Sequence, residues 1–421
     1  MGRPRSSSWR FADTIVIVQD TISQRAAVLR PSATFAMAAR AGALRAQGRP
    51  VFDFSAGEPD FRPPTAVREA VVALVRERAI GYTPVAGMLA LREAVAEHLS
   101  AYHGTAISPA RVLISCGAKH SIANLLQATI DPGDEVVIPT PAWVSYPDMV
   151  RLAQGVPVVA PTLPEHGWRL QPEALAKVVG PRTRLLVLNS PSNPTGGGYG
   201  AADLRALGEV LARLAPRTRV MADDIYRRLS YAPFEHASVV RCLGDVLENI
   251  ALVDGVSKTY AMTGFRIGYL VASEAVVTAA TRVQGQTTSG AATPSQYAAL
   301  AALTDPSVDV EVAAMHEAFT RRRATMLAAV TAIDGLRIVP PDGAFYCWID
   351  ASAYVGRTGV ADDTALANWL LDRHGVASVP GSAFGAPGYL RLSYATDDAS
   401  VVGGCARLTE ALASLAARGA E

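Results

Sequence analysis

Short runs of aliphatic and β-branched residues alternate with longer segments whose apolar positions recur every three or four residues. Val112–Ser115, Glu135–Ile138, Val156–Ala160, Leu185–Leu188, Arg219–Met221, Ile250–Val253 and Ile267–Val271 read as buried strands. Helical spacing predicts helices over Ala33–Gln47, stopped by Gly48, and over Pro63–Arg78, Gly87–Tyr102 and Lys119–Thr129. Val51–Ser55 is strand-like and runs into the turn Gly57-Glu58-Pro59-Asp60. Near-continuous apolar strands interleaved with helices imply α/β architecture, a mainly parallel sheet covered on both faces. Beyond about residue 305 the texture changes. A long helix over Val308–Ile333, strands near Arg337–Val339 and Phe345–Ile349, and a helix over Asp363–Arg373 predict a smaller α+β domain. The expected division is a tail over residues 1–25, a segment 26–62 joining the small domain, a large domain 63–304 and a small C-terminal domain 305–421.

Composition narrows this picture without changing it. Half of the 421 residues are hydrophobic and 18% are charged, as in a well-packed enzyme. A formal charge of +1 supplies no field for nucleic acid. No apolar run approaches the roughly 18 residues of a membrane helix, and Met1–Asp20 makes a poor signal peptide, so a cytoplasmic protein is expected. Cys116, Cys242, Cys347 and Cys405 lie far apart without metal-ligand spacing, so reduced, mostly buried thiols and no metal are expected. Seven scattered histidines form no catalytic or metal motif, and Arg321–Arg323 reads as a solvated helix face.

The chain holds only three lysines, Lys119, Lys177 and Lys258. Lys177 falls in a surface helix over Gln171–Val179. Lys258 instead follows a buried strand in Val253-Asp254-Gly255-Val256-Ser257-Lys258, with Arg266 eight residues later in Thr263-Gly264-Phe265-Arg266-Ile267-Gly268. Asp223 stands at the end of another strand, in Ala222-Asp223-Asp224-Ile225-Tyr226, where ligands of open parallel sheets gather. Asn193 sits in the turn sequence Asn193-Pro194-Thr195-Gly196. Ser115-Cys116-Gly117-Ala118-Lys119 joins a strand to a helix, whose first amides are a natural anion site. Arg391, in the alternating strand Tyr389-Leu390-Arg391-Leu392-Ser393-Tyr394, would be costly among apolar neighbours unless paired. Its planar fork suits a carboxylate.

In this order, from about Ala26 to Glu410, these motifs resemble fold-type-I pyridoxal-phosphate (PLP) aminotransferases, particularly the bacterial aspartate and prephenate subgroup. The resemblance implies a three-layer PLP-transferase fold in which Lys258 holds the cofactor as a Schiff base and then shuttles a proton. It further implies that Asp223 pairs with the ring nitrogen, that Tyr226 and Asn193 reach the phenolic oxygen, and that Trp143 stacks on the ring. Gly117, Ala118, Lys119, Ser257 and Arg266 would cradle the phosphate. Tyr82 would reach the phosphate of a neighbouring subunit, which requires a homodimer. Gly255 stands where many relatives carry a further phosphate-binding serine. Arg391 and Gly57, with Trp143 and Asn193, would hold the substrate's α-carboxylate end, and Lys119 and Thr34 the distal carboxylate of an acidic substrate. An ordinary N-cap role for Thr34 stays open beside this one.

The implied activity is ping-pong transfer of an amino group between an amino acid, aspartate or glutamate first, and a 2-oxo acid. Prephenate-like acceptors come second. Another reaction at the substrate Cα on the same fold and cofactor is the alternative. About 25 residues ahead of the resemblance leave no room for the DNA-binding domain of a transcriptional regulator, and no glycine fingerprint for a nicotinamide cofactor is present.

Overall fold

The computed structural model describes residues 22–27, 29, 31–77, 79–244, 247–357 and 359–417, so most of the expected tail lies outside the described residues. The chain divides into two units, Met1–Arg30 and Pro31–Glu421. In the first, the described part contains one helical turn, Gln24–Ala27. Everything below concerns the second.

Its first strand, β1 (Phe52–Asp53), is shorter than the apolar run around it. The central sheet follows, built from β2 (Val112–Ser115), β3 (Glu135–Thr140), β4 (Val156–Pro161), β5 (Thr183–Asn189), β6 (Arg219–Asp223), β7 (Ile250–Gly255) and β8 (Gly268–Val271), in the order β2-β8-β7-β6-β5-β3-β4. β8 is antiparallel to both neighbours, and the remaining pairs are parallel. Two separate apolar clusters cover the faces. Leu186, Leu188, Val220, Ala222 and Leu252 point into one. Their alternates Leu185, Val187, Met221, Ala251 and Val253 point into the other.

The last strand in this order departs from expectation. Val156 and Val159 are 45% and 56% exposed, because β4 is the sheet's edge rather than a buried strand. Pro157 and Pro161 suit that place, since proline cannot donate to a ladder.

A four-stranded antiparallel sheet follows, β12-β13-β10-β9, made of β9 (Arg337–Ile338), β10 (Tyr346–Asp350), β12 (Val379–Pro380) and β13 (Tyr389–Ser393). β11 (Val376–Ala377) pairs in parallel with β1, and the Ser393 amide donates to the Phe54 carbonyl. The segment before residue 62 is therefore tied to the C-terminal elements. The long helix Ser307–Thr331 bears the arginine run, where a solvated face was expected. Arg322 is instead only 7% exposed and pairs with Asp60 and Asp398, while Arg323 lies over the Tyr231 ring. All four cysteines are free, with Cys347 and Cys405 buried and Cys116 and Cys242 half-buried. No helix among the described residues is long and apolar enough to cross a membrane.

Candidate active site

The parallel strands β2, β3, β5, β6 and β7 end at one edge of the central sheet, and the antiparallel β8 begins there. The loops that flank these strands therefore open at that edge, the usual ligand site of an open α/β sheet. Cys116–Lys119 follows β2, Trp143 follows β3 and Asn193 follows β5. Asp223 closes β6, Ser257 and Lys258 follow β7, and Arg266 precedes β8.

Lys258 Nζ donates to the carbonyl of Gly57 at 2.5 Å. Burial pushes its amine down to about 8, with Arg266 and Arg391 acting in the same direction and Glu58 opposing them. Desolvation is thus the leading cause of the depressed basicity, and the two neighbouring cations add to it. Glu58 accepts from Thr263 Oγ1 at 2.7 Å, so the Gly57–Glu58 turn is bonded to Lys258 and to the loop before Arg266.

Asp223 is 3% exposed, and burial raises its carboxyl to about 7. Tyr146 Oη donates to its Oδ2 at 2.6 Å and pulls the other way. Asn189 Nδ2 donates to the Asp223 carbonyl at 2.9 Å, while Asn189 Oδ1 accepts from the Asn193 amide at 2.8 Å. One side chain thus ties the Asn193 turn to the end of β6. Tyr226 is buried, its hydroxyl 2.8 Å from that of Tyr346.

Arg391 is 1% exposed. Its Nη1 donates to Asn193 Oδ1 and its Nη2 to the Ser55 carbonyl, each at 2.9 Å. The guanidinium lies over the rings of Tyr346 at 4.4 Å and Phe384 at 5.1 Å. Nε has no partner, and no carboxylate pairs with this arginine among the described residues. Burial accordingly lowers its affinity for the proton. The structural ion pair that could have explained it is absent there. A buried cation with a free donor is a site waiting for an anion.

At the start of the helix Ala118–Thr129, Gly117 has φ +89°, which only glycine adopts without strain. A Cβ there would lie 2.4 Å from Arg266 Nη2. The Arg266 guanidinium therefore rests against the glycine beside the first-turn amides, which have no partner within the helix. Arg266 itself holds φ +55°, uncommon for a side chain of its size, and its Nη1 donates to the Thr263 carbonyl at 2.9 Å. Ser257 is buried in the turn after β7.

Lys119 Nζ sits 4.8 Å over the Trp143 ring, so these two side chains meet at the same edge. Burial, then Arg266, lowers the basicity of Lys119. Thr34 occupies the first turn of the helix Ala33–Ala46, where Ser32, not Thr34, is the N-cap residue. Tyr82 is fully exposed. No hydrogen bond or ring contact among the described residues joins Thr34 or Tyr82 to the cluster. Tyr146, Tyr346 and Asn189 were missed from the sequence. Tyr146 stood in plain view three residues after Trp143, within the same loop-to-helix segment, whereas Tyr346 is an apolar-looking position of a buried strand and carries no local signal.

A family model described as aminotransferase class I and II matches residues 49–408. An aspartate/prephenate aminotransferase of Nitrosomonas europaea is 40% identical, over 89% of this chain and 95% of that protein. An aspartate aminotransferase of Geobacillus stearothermophilus is also 40% identical, over 89% of this chain and 94% of its own. Among solved structures, aspartate aminotransferase from Thermus thermophilus with maleate superposes with a TM-score of 0.87 at 40% identity, covering 93% of this chain and 99% of that one. The aspartate aminotransferase from Rhizobium meliloti gives 0.88 at 37% identity, covering 93% and 98%.

Proposed function

Since this chain belongs to the class I and II aminotransferase family and is a transaminase, we propose that it exchanges the amino group of aspartate or glutamate with a 2-oxo acid, using PLP on Lys258. The observation that carries an amino-acid substrate is Arg391: a buried, forked cation without a carboxylate partner among the described residues fits an α-carboxylate. Lys119, on the face of Trp143, is the second cation at the same edge and the candidate for a distal carboxylate. The Thermus neighbour is a structure with maleate, a four-carbon dicarboxylate, which supports the acidic class. The names of the relatives favour transamination over decarboxylation, elimination, cyclisation or oxidation.

The residues fit the cofactor. The glycine cradle at Gly117 with Arg266 suits a phosphate, joined by Ser257 and the amides of Ala118 and Lys119. The buried Asp223 carboxyl, held near 7 with no guanidinium paired to it among the described residues, suits a cationic ring nitrogen that would draw it back to the ionised form. Tyr226 and Asn193 suit the phenolic oxygen, and Trp143 the ring face. When bound, PLP supplies an electron sink for the negative charge left as the substrate loses its Cα proton.

The protein's own groups do the rest. Arg391 fixes the substrate carboxylate, with Asn193 Oδ1 and the Ser55 carbonyl holding the fork in plane. The Lys258 amine, near 8, is unprotonated often enough at neutral pH to take the Cα proton and acidic enough afterwards to return it. The carbonyl of Gly57 accepts from that amine and holds it in the site. Two half-reactions in turn then follow a ping-pong course.

Within the second unit we also assign residues 31–62 and 305–417 to the small domain and 63–304 to the large one, supported by the β1–β11 pairing, while residues 26–30 of the expected segment fall in the first unit. The full exposure of Tyr82 supports a homodimer in which it enters the neighbouring subunit's site, and we place the enzyme in the cytoplasm.

The reading is tested with a panel of single amino acids given to the PLP-loaded protein. Aspartate or glutamate is expected to yield one equivalent of its oxo acid, with no carbon dioxide or ammonia released. Release of either gas would move the assignment to another Cα reaction. A second expectation concerns the cradle. Gly117→Ala strains the backbone by roughly 1–3 kcal/mol and pushes on Arg266, so PLP affinity should fall about tenfold or more by equilibrium dialysis.

A further inference from the structure

We infer that Tyr146 is a positioning residue for the reaction: its buried hydroxyl, 2.6 Å from Oδ2 of Asp223, fixes both the direction and the charge of that carboxylate. The inference deepens the PLP reading above and rests on it. Tyr146 lies in the first turn of the helix Ser145–Leu152, is 3% exposed and packs edge-on against Trp143, with ring centroids 5.2 Å apart at 88°. A tyrosine so enclosed keeps its proton, since burial and Asp223 itself both hold its acidity far below the ordinary. It is therefore a donor across the working pH range, with one acceptor in reach.

The surroundings of Asp223 show why one donor matters. Among the described residues its Oδ1 accepts a hydrogen bond only from the Ile225 amide, at 3.4 Å. Two further carboxylates oppose its ionisation: Asp224 beside it and Asp254 on the adjacent β7. Each of these has its own partner. His236 Nε2 is 3.3 Å from Asp224, and Arg227 Nη2 is 3.3 Å from Asp254. Lys258 and Tyr226 face Asp223 from the other loops of the site, and neither hydrogen-bonds it among the described residues. The Tyr146 hydroxyl is thus the short side-chain donor that favours the charged form. Asn189 holds the same residue from behind, through its backbone carbonyl. Asn189 thus holds the main chain at Asp223 while Tyr146 holds Oδ2 of its carboxylate.

Tyr146→Phe removes the donor and keeps the ring. In the PLP-free protein, infrared difference spectra against Asp223→Asn follow protonation of this one carboxyl. The midpoint, about 7 in the parent, is expected to rise by about one pH unit in Tyr146→Phe. In the loaded enzyme the acid limb of kcat/KM should move the same way, with kcat/KM at pH 7 about tenfold lower and KM for the amino donor within about twofold. Should Tyr146→Phe fail to fold, 3-fluorotyrosine at position 146 replaces it. This near-isosteric, more acidic hydroxyl is a stronger donor and should lower the midpoint. An unmoved midpoint in the variant that folds overturns the inference and leaves Tyr146 as core filling. Full activity of Asp223→Asn would instead overturn the underlying assignment of Asp223 to the ring nitrogen, so the two failures are told apart.

Discussion

Lys258→Ala is expected to lose turnover by about 10⁴-fold or more, with the fold retained. Neither of the other lysines can take over. Lys119 is engaged with the Trp143 ring, and Lys177 lies in the helix Pro172–Val178, whose buried residue is Leu175. The amine acts where it is because β7 ends beside it and the Gly57 carbonyl holds Nζ, so replacement removes the group and nothing of the frame. The same substitution carries a stability signature in the PLP-free protein. Burial holds the Lys258 amine at about 8, below its ordinary 10.5. Between those values the unfolded chain binds more protons than the folded one, so the parent gains stability as pH rises from about 8 to 10.5. Thermal melts of Lys258→Ala should lack this residue's share of the gain. Retained turnover, or an unchanged pH slope, would contradict the role given to this amine.

Arg391→Leu is the second large effect, and it separates binding from folding. Truncating one member of a buried, hydrogen-bonded charge pair costs roughly 2–5 kcal/mol, about 30- to 5,000-fold in kcat/KM. That loss is expected for every amino acid tried, since all share the α-carboxylate. Arg391→Lys should recover little, because a point charge cannot make two parallel bonds. Without substrate, however, Arg391 has no carboxylate partner among the described residues, and its desolvated charge is a burden on the fold. The PLP-free Arg391→Leu protein is expected to melt at or above the temperature of the parent. Asn193 Oδ1 and the Ser55 carbonyl lose a donor, which limits the gain. A variant that binds substrate normally, or that unfolds outright, would show the arginine to be structural.

The strands of the central sheet were legible because their apolar runs are bounded by turns and helices. β4 was misread because Val156, Val158 and Val159 look buried in sequence, whereas its place at the edge depends on strand order, which local sequence does not encode. The helix Thr293–Thr304 is rich in alanine and has no charged face, so its period is invisible, and neither it nor Glu274–Thr287 was predicted. Arg322 looked solvated because its partners, Asp60 and Asp398, lie 262 and 76 residues away.

The site divides along the same line. Asp223 ends a strand, and Lys258, Asn193, Gly117 and Arg266 sit in loops that follow or precede strands, where spacing itself is informative. Tyr146 and Tyr346 act through hydroxyl contacts to distant segments, at Asp223 and Tyr226, and only the folded sheet reveals those pairs.

The central claim is tested most directly by borohydride reduction of the PLP-loaded protein, followed by peptide mass spectrometry. Three lysines make the assignment unambiguous. The account predicts the reduced cofactor's mass on the peptide containing Lys258 and on no other. Label at Lys119 or Lys177, or a Lys258 peptide left unmodified, would contradict it.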